Sequence, residues 1–171
     1  MASYASDGAA TPPPIPATKL LVVVTAANEL QATSARIELE KRSLPLNTKT
    51  LAVADPSGRR IGSGGGTLHA LKAARDLLGD AWLDDRLVLI IHSGGDSQRA
   101  PSQSVCGKAW SLLPTVPPKA PVDLLIEQLL KLCAGAHGVV VACGDVLLKL
   151  PEDPGSLANQ GVTGLAVPAP K

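Results

Sequence analysis

Short apolar runs alternate with longer segments of mixed polarity along this chain, and this pattern predicts the elements of its fold. Residues 20–25 (LLVVVT), 87–91 (LVLII) and 139–142 (VVVA) are continuous apolar runs, which are typical of strands buried on both faces. Residues 50–54 (TLAVA) predict a shorter strand, second in chain order, and residues 164–167 (GLAV) suggest the start of a fifth. We therefore expect a sheet of at least four strands.

Three helices are predicted between these strands from the spacing of their apolar residues. Asn28 is the candidate N-cap of the first, Pro45 ends it, and Gly135 and Gly138 are candidate stops for the third. The residues expected to face the core are Leu30, Ala35, Ile37 and Leu39; Leu68, Leu71, Ala74, Leu77 and Leu78; and Leu124, Leu125, Leu129, Leu130 and Leu132. Alternating strands and helices predict an α/β fold with a mostly parallel sheet, whose ligands bind beyond the carboxyl ends of the strands.

Composition limits the functions that such a domain can have. The 171 residues suit one domain, and residues 1–17, rich in Ala and Pro, predict a disordered tail before a domain at 18–171. Sixteen Lys and Arg against fifteen Asp and Glu, with no basic stripe, argue against nucleic-acid binding. No apolar run approaches the ~18 residues of a membrane span. Three cysteines without a CxxC pair favour a reducing compartment such as the cytoplasm.

A glycine-rich loop follows the third predicted strand, in the stretch LVLIIHSGGDSQRAPSQSVCGKAW (87–110). Gly94 and Gly95 allow backbone N–H groups to cradle an anion, although a bare glycine pair is more often a simple turn. Arg99 and Lys108 favour the anion site, because a guanidinium forks onto phosphate oxygens and a lysine adds a point charge. The loop therefore predicts a phosphate-binding site.

Two common phosphate motifs are absent from the sequence. Lys108 is followed by Ala109 rather than Ser or Thr, and Ser102 lies five residues before Gly107, so the NTPase P-loop pattern is missing. In GSGGGT (62–67), a threonine stands in place of the third glycine of the dinucleotide fingerprint.

Two further features are candidates for binding. Residues 62–67 open the predicted second helix, where backbone donors and the helix dipole favour an anion; a flexible loop entering a helix is the alternative. Asp55 and Asp145 each follow a strand, and each is either a turn residue or a metal ligand. Asp145, after a predicted buried strand and a glycine, is the better candidate to hold Mg²⁺ near a triphosphate.

These residues favour phosphoryl-type transfer over nucleophilic catalysis. Ser97, Ser102 and Ser104 have no evident His and Asp partners. A phosphate monoester has its second pKa at about 6, so its attacking oxygen is largely ionised at neutral pH. The protein must then supply alignment and positive charge, for which Arg99 and Lys108 are the candidates.

Five segments, in order, resemble the fucose-1-phosphate guanylyltransferase (GDP-fucose pyrophosphorylase) family. They are TAAN (25–28), DPSGRRIGSGGGTLHAL (55–71), LVLIIHSGGDSQRAPSQSVCGKAWSLLP (87–114), VVVACGDVLL (139–148) and GLAVPAP (164–170). The same domain forms the N-terminal half of bifunctional fucokinase/GDP-fucose pyrophosphorylases.

This resemblance implies a Rossmann-like, GT-A-like nucleotidyltransferase sheet. It also implies that GTP and β-L-fucose 1-phosphate react, with Mg²⁺, to give GDP-L-fucose and pyrophosphate. The roles it implies are catalysis for Arg99 and Lys108; nucleotide binding for Gly62, Gly64, Gly65, Thr67, Gly94, Gly95 and Asp96; and metal binding for Asp145. Family members are several times longer, so we expect residues 18–171 to be a partial, truncated nucleotidyltransferase domain with an incomplete sheet.

Two alternatives stay open. The chain binds a nucleotide without catalysis, as a remnant or as a partner subunit, or it is a fragment of a bifunctional L-fucokinase that lacks the kinase domain. The kinase domain of that family has its own glycine- and serine-rich ATP loop, and no such loop is found in this sequence.

Overall fold

The computed structural model of the protein describes residues 19–95, 101–103, 107–155, 157 and 160–166. Its strands and helices follow one another along the chain. They are β1 (Lys19–Ala26), α1 (Glu29–Glu40), β2 (Thr48–Ala54), α2 (Gly62–Leu78), β3 (Arg86–His92), α3 (Pro121–Leu132) and β4 (Gly138–Cys143). The α/β class predicted from the alternation of strands and helices is confirmed.

The four strands form one parallel sheet in the order β2-β1-β3-β4. Val23 on β1 lies opposite Leu51 on β2 and Ile90 on β3, so β1 is bonded on both sides. From β1 the chain moves outward to β2 and then returns across the sheet to β3. The carboxyl ends of β1 and β3 therefore form a topological switch point, the place where open α/β sheets bind their ligands.

Aliphatic side chains from the central strands make the core on both faces of the sheet. Val22 and Val24 face the side covered by α1 and α3, whereas Leu21 and Val23 face α2. All four are fully buried, and each such side chain contributes about 1.5–3 kcal/mol by leaving water. The continuous apolar runs predict this two-sided burial correctly for β1 and β3.

Strand β4 was predicted to be buried, and this prediction is wrong for one face. Val139 and Val141 are 39% and 48% exposed, whereas Val140 and Ala142 pack against the α1/α3 side. The reason is the direction of the connections. Helices α1 and α3 cover the same face of the sheet, but the step from β1 to β2 runs towards one edge of the sheet and the step from β3 to β4 runs towards the other. The β3–α3–β4 connection thus has the opposite hand to β1–α1–β2 and leaves the other face of β4 uncovered.

The predicted inward faces of α1 and α2 are partly wrong. Leu30, Ile37, Leu68 and Leu77 are between 45% and 70% exposed. The prediction is correct for Ala35, Leu39 and Ala74, which are buried, and the other buried positions of the two helices are mostly small residues: Gln31 and Ala32 in α1, and Gly66 and Ala70 in α2. Small residues let the helices approach the bulky Val, Leu and Ile side chains of the sheet, so the long leucines are left at the rim.

Several predicted boundaries also shift. Helix α1 ends at Glu40, before Pro45 is reached, and Gly138 belongs to β4 rather than to the stop of α3. The prediction that residues 62–67 open the second helix is confirmed, since α2 begins at Gly62, and the alternative of a loop before the helix is wrong. Residues 164–166 form no strand. Residues 1–17 and residue 167 lie outside the described residues, and no helix in the described part is long and apolar enough to cross a membrane.

Candidate functional site

The carboxyl ends of the central strands are joined by backbone hydrogen bonds. Ser93 N–H donates to Thr25 O (3.2 Å), which joins the end of β3 to β1. Gly144 N–H donates to His92 O (2.9 Å), which joins the end of β4 to β3. The segments that leave these strands therefore begin at one level and face a common crevice.

A small pocket of about 70 Å³ opens at this edge of the sheet. It is lined by His92, Ser93, Gly94, Gly95, Lys108, Ala109, Cys143, Gly144 and Asp145. The prediction that the loop after β3 and the aspartate after β4 share one crevice is confirmed, because Lys108 Nζ lies 3.7 Å from Asp145 Oδ2. The parallel sheet brings together residues that are far apart in sequence.

Two glycines allow the chain to pass close to other parts of the pocket wall. A Cβ atom at Gly94 would lie 3.1 Å from Ala27 N and 3.3 Å from Ala26 C, so only glycine leaves the loop this close to the end of β1. Gly107 has a φ of +86°, and a Cβ there would lie 2.9 Å from Ser93 Oγ. The backbone conformation and the close contacts require glycine at both positions, whether or not a ligand is bound.

Gln31, in α1, is bonded to the segment 93–95 that leaves β3, which we call the pocket loop. Its Oε1 accepts from Ala27 N–H (3.1 Å), and its Nε2 donates to Gly95 O (3.3 Å). The predicted N-cap is confirmed next to it, since Asn28 Oδ1 accepts from Gln31 N–H (2.9 Å). Gln31 is only 7% exposed. Its role was not predicted, although a glutamine in the first turn of a helix, directly after a buried strand, is a usable signal.

Asp145 is the acidic group of the pocket. The Cys143 thiol donates to its Oδ1 (3.0 Å), and this hydrogen bond, with a smaller effect from the Lys108 ammonium, lowers the pKa of Asp145 below its ordinary value of 3.8. The same hydrogen bond raises the pKa of the Cys143 thiol above 9.0. At neutral pH the pocket therefore holds the Asp145 carboxylate and the neutral Cys143 thiol beside the Lys108 side chain.

The second glycine segment lies at the start of α2. Its N-cap position, Ile61, makes no side-chain hydrogen bond to the helix, and the first turn has no acidic residue. Gly62 has a φ of +71°. The described lining of the pocket does not include Gly62, Gly64, Gly65 or Thr67. The segment reaches the pocket lining at His92, whose Nε2 lies 2.9 Å from Thr67 Oγ1.

His92, at the end of β3, was not singled out by its sequence position. Its Nδ1 lies 2.9 Å from Thr25 Oγ1, so the ring is bonded on both nitrogens. Burial lowers the pKa of His92 from its ordinary 6.5, and the negative charge of Asp55 opposes that effect. A histidine that follows an apolar strand carries no sequence signal for these contacts, because its partners are on β1 and α2.

Two predicted residues lie outside the described part of the chain. They are Asp96 and Arg99, in the loop between Gly95 and Pro101. Their assignments to nucleotide binding and catalysis therefore stay predictions.

A family model described as "Fucose pyrophosphorylase domain" matches residues 80–171. The matched region contains β3, the pocket loop, α3 and β4, and so every lining residue of the pocket. It begins after α2, which lies outside the match.

Curated relatives extend the likeness towards the N-terminus. The chain is 38% identical over 138 residues to the fucose-1-phosphate guanylyltransferase of Mus musculus, covering 73% of this chain and 22% of the relative. The fucose-1-phosphate guanylyltransferase of Homo sapiens is 36% identical, with 73% and 21% covered. The bifunctional fucokinase/GDP-fucose pyrophosphorylase of Arabidopsis thaliana is 31% identical over 182 residues, with 83% and 17% covered. The chain thus spans about a fifth of the length of these relatives. No solved structure matches it significantly.

Proposed function

Because the chain belongs to the fucose pyrophosphorylase family, we propose that it acts in joining GTP and L-fucose 1-phosphate to give GDP-L-fucose and pyrophosphate. The observation that supports this proposal is the pocket in which Gly94, Gly95, Lys108 and Asp145 meet. All four residues lie within the region matched by the family model. The family likeness and the geometry therefore concern the same residues.

The triphosphate is proposed to bind across the pocket loop. Backbone N–H groups at Gly94 and Gly95 are donors suited to phosphate oxygens, and Lys108 supplies the positive charge. Lys108 and Asp145 are 39% and 48% exposed, so the Lys108 side chain can turn from Asp145 towards a bound phosphate. Arg99 is proposed as a second cation of this site, and Asp96 as a further nucleotide-binding residue.

In the proposed reaction an ionised phosphate oxygen of L-fucose 1-phosphate attacks the α-phosphorus of GTP. A new P–O bond forms, the bond from the α-phosphorus to the bridging oxygen of the β-phosphate breaks, and pyrophosphate leaves with that electron pair. No general base is needed at neutral pH, because the second pKa of a phosphate monoester is about 6. Lys108 and the backbone donors would align the phosphates and offset the developing negative charge.

Asp145 fits the requirements of a ligand for Mg²⁺. It is an ionised carboxylate that lines the pocket, and the described residues contain no cluster of three or more His, Cys, Asp and Glu side chains that would form a closed metal cage. Mg²⁺ is commonly held by one or two carboxylates together with waters and substrate phosphates. When bound, it would neutralise phosphate charge.

The segment at the start of α2 is proposed as a second nucleotide-binding element. Its first turn has N–H groups without a side-chain cap, the positive end of the helix dipole, and no acidic residue. Gly62, Gly64, Gly65 and Thr67 are the residues of this element. None of the four lines the pocket, so we propose that they contact a part of the nucleotide other than the one bound at Gly94 and Gly95.

The test is a pair of measurements on the purified chain. GTP binding is measured by calorimetry with Mg²⁺, and pyrophosphate release is measured after L-fucose 1-phosphate is added. We expect Lys108→Ala to weaken GTP binding about 10- to 150-fold, since a charged hydrogen bond contributes about 1.5–3 kcal/mol. Lys72→Ala is the matched control, because Lys72 pairs with Asp76 on the surface of α2 at a comparable distance (3.0 Å). Equal affinity for Lys108→Ala and wild type would contradict the site assignment.

Nucleotide binding without turnover is the second function that this test separates. It is considered because the chain spans about a fifth of the length of its curated relatives. Tight GTP binding without pyrophosphate release would support it. Release of pyrophosphate that depends on both substrates would support the transferase.

A further inference from the structure

His92 connects three elements through its two ring nitrogens. Nδ1 lies 2.9 Å from the hydroxyl of Thr25 at the end of β1, and Nε2 lies 2.9 Å from the hydroxyl of Thr67 in α2. His92 itself ends β3 and lines the pocket. One imidazole ring thus bridges the pocket wall and the glycine segment at the start of α2.

The hydrogen-bond pattern favours one tautomer of the ring. The Thr67 hydroxyl has a single proton, and Ser63 O and His92 Nε2 both lie 2.9 Å from its oxygen. We assign that proton to Ser63 O, so that the hydroxyl accepts from the ring and His92 Nε2 bears the ring proton. Nδ1 of the neutral ring is then an acceptor, and the Thr25 hydroxyl donates to it. Burial, which disfavours the charged ring, is consistent with this neutral tautomer.

The ring also lies against the backbone of α2. A Cβ at Gly66 would lie 3.4 Å from His92 Cε1 and 3.7 Å from Nδ1, which are ordinary van der Waals distances. Gly66 belongs to the same glycine segment as Gly62, Gly64 and Gly65. The ring therefore lies beside the second turn of α2 as well as being hydrogen-bonded to Thr67.

On the opposite side, the backbone of His92 is joined to the pocket. Its carbonyl accepts from Gly144 N–H (2.9 Å), and the next residue, Ser93, is bonded to Thr25 O. Any movement of the ring would be transmitted both to the loop at 93–95 and to the start of α2. Thr67 belongs to the segment 62–67, and Thr25 is bonded to Ser93, which starts the segment 93–95. The hydrogen bonds of His92 therefore connect both glycine segments, which a buried histidine with merely local partners would not do.

We propose that His92 is a positioning residue whose Nε2–H tautomer holds the start of α2 in register with the pocket loop, so that both glycine segments act on one nucleotide. This inference rests on the proposed binding of GTP. It assigns to His92, Thr25 and Gly66 the task of fixing the distance between the two segments. None of the three needs to touch the ligand.

Two amide variants separate the two ring nitrogens. His92→Gln places an amide where Nε2 is and keeps a donor for Thr67, whereas His92→Asn keeps a polar atom near Nδ1 but cannot reach Thr67. We expect His92→Asn to weaken GTP binding about five- to tenfold, the effect of one net hydrogen bond, and His92→Gln to stay within about twofold of wild type. Thr25→Val should weaken binding similarly, and Thr25→Ser should restore it.

A purely structural role gives a different result. It would lower the melting temperature of His92→Asn and Thr25→Val without changing the GTP affinity of the folded protein, measured well below the melting temperature. Equal affinities for His92→Asn, His92→Gln and wild type would overturn the proposal.

Nitrogen NMR distinguishes failure of this inference from failure of the proposed function. The ¹⁵N spectrum of the His92 ring should show one protonated nitrogen, assigned to Nε2, and one unprotonated nitrogen. The amide signals of residues 62–67 should move in His92→Asn and much less in His92→Gln. If wild type does not bind GTP but these signals move as expected, the proposed function fails and the positioning role stands. A ring protonated on Nδ1, or unmoved amide signals, overturns the positioning role itself.

Discussion

The backbone of Gly94 lies against the backbone of Ala27, so that a Cβ at position 94 would be 3.1 Å from Ala27 N. The loop that leaves β3 is thus seated on the end of β1, at the switch point of the sheet. Neither partner can move as a flexible side chain would, because the opposing atoms belong to the main chain. Gly94 is therefore a structural requirement of the pocket as well as a candidate phosphate donor.

Replacement of Gly94 by alanine should displace the loop. We expect Gly94→Ala to lower the free energy of unfolding by about 1–3 kcal/mol, the usual cost of overpacking. Urea unfolding followed by circular dichroism measures this change. Gly164→Ala is the control, because a Cβ at Gly164 has no atom within 4 Å. A Gly94→Ala protein as stable as the control would contradict the close approach.

Gln31 should be needed for the position of Gly95. In Gln31→Leu, Ala27 N–H loses its acceptor and Gly95 O loses its donor, both in half-buried surroundings. We expect a loss of about 1–3 kcal/mol in the free energy of unfolding, the cost of leaving a buried polar group unpaired. The amide proton of Ala27 should also exchange faster with solvent. Gln160→Leu, at an exposed position, should change neither quantity.

Glu38 links stability to acidic pH. Hydrogen bonds from Arg42 and Lys41 lower the pKa of Glu38 below its ordinary 4.5. The folded state thus binds this proton less readily than the unfolded state, so the stabilisation is complete above pH 4.5 and is lost as the pH falls through the folded-state pKa. We expect the free energy of unfolding of wild type to exceed that of Glu38→Gln by about 0.5–1 kcal/mol at pH 7, and this difference to shrink as the pH falls below 4.5. An undiminished difference at pH 3 would contradict this assignment.

His92 should add a second pH dependence nearer to neutrality. Its pKa is lowered by burial, so below the ordinary 6.5 the unfolded chain takes up a proton that the folded chain does not. The free energy of unfolding of wild type should therefore fall as the pH decreases below 6.5, until the folded-state pKa is passed. His92→Asn lacks this titration and should show a flatter profile between pH 7 and pH 5. If the free energy of unfolding changed with pH in parallel in the two proteins, the lowered pKa of His92 would be contradicted.

The Cys143 thiol reports the charge of Asp145. The carboxylate raises the pKa of the thiol, and only the thiolate reacts with alkylating agents. In a Cys106→Ser, Cys133→Ser background, Asp145→Asn should speed alkylation of Cys143 severalfold at pH 8. In the protein that keeps Asp145, Mg²⁺ bound to this carboxylate should also speed alkylation of Cys143. An unchanged rate in Asp145→Asn would contradict the hydrogen bond between the two side chains.

The sequence alone determined the elements and the class of the fold. The runs at 20–25 and 87–91 are too short and too evenly apolar for surface helices, so they predict central strands, and β1 and β3 are buried on both faces. The order of strands and helices then requires a parallel sheet, and a parallel sheet places Lys108 and Asp145 at one edge. Local chemistry and chain order were sufficient for these conclusions.

Other features were decided only by the tertiary structure. Whether Val139 or Ala32 is buried depends on which helix covers which face, and apolar spacing does not encode the hand of the β3–β4 connection. His92 bridges Thr25 and Thr67. Thr25 precedes it by 67 positions in the sequence, and Thr67 precedes it by 25. Such contacts depend on distances between packed elements, which are set by the small residues of the helices and the register of the strands, and no local pattern contains them.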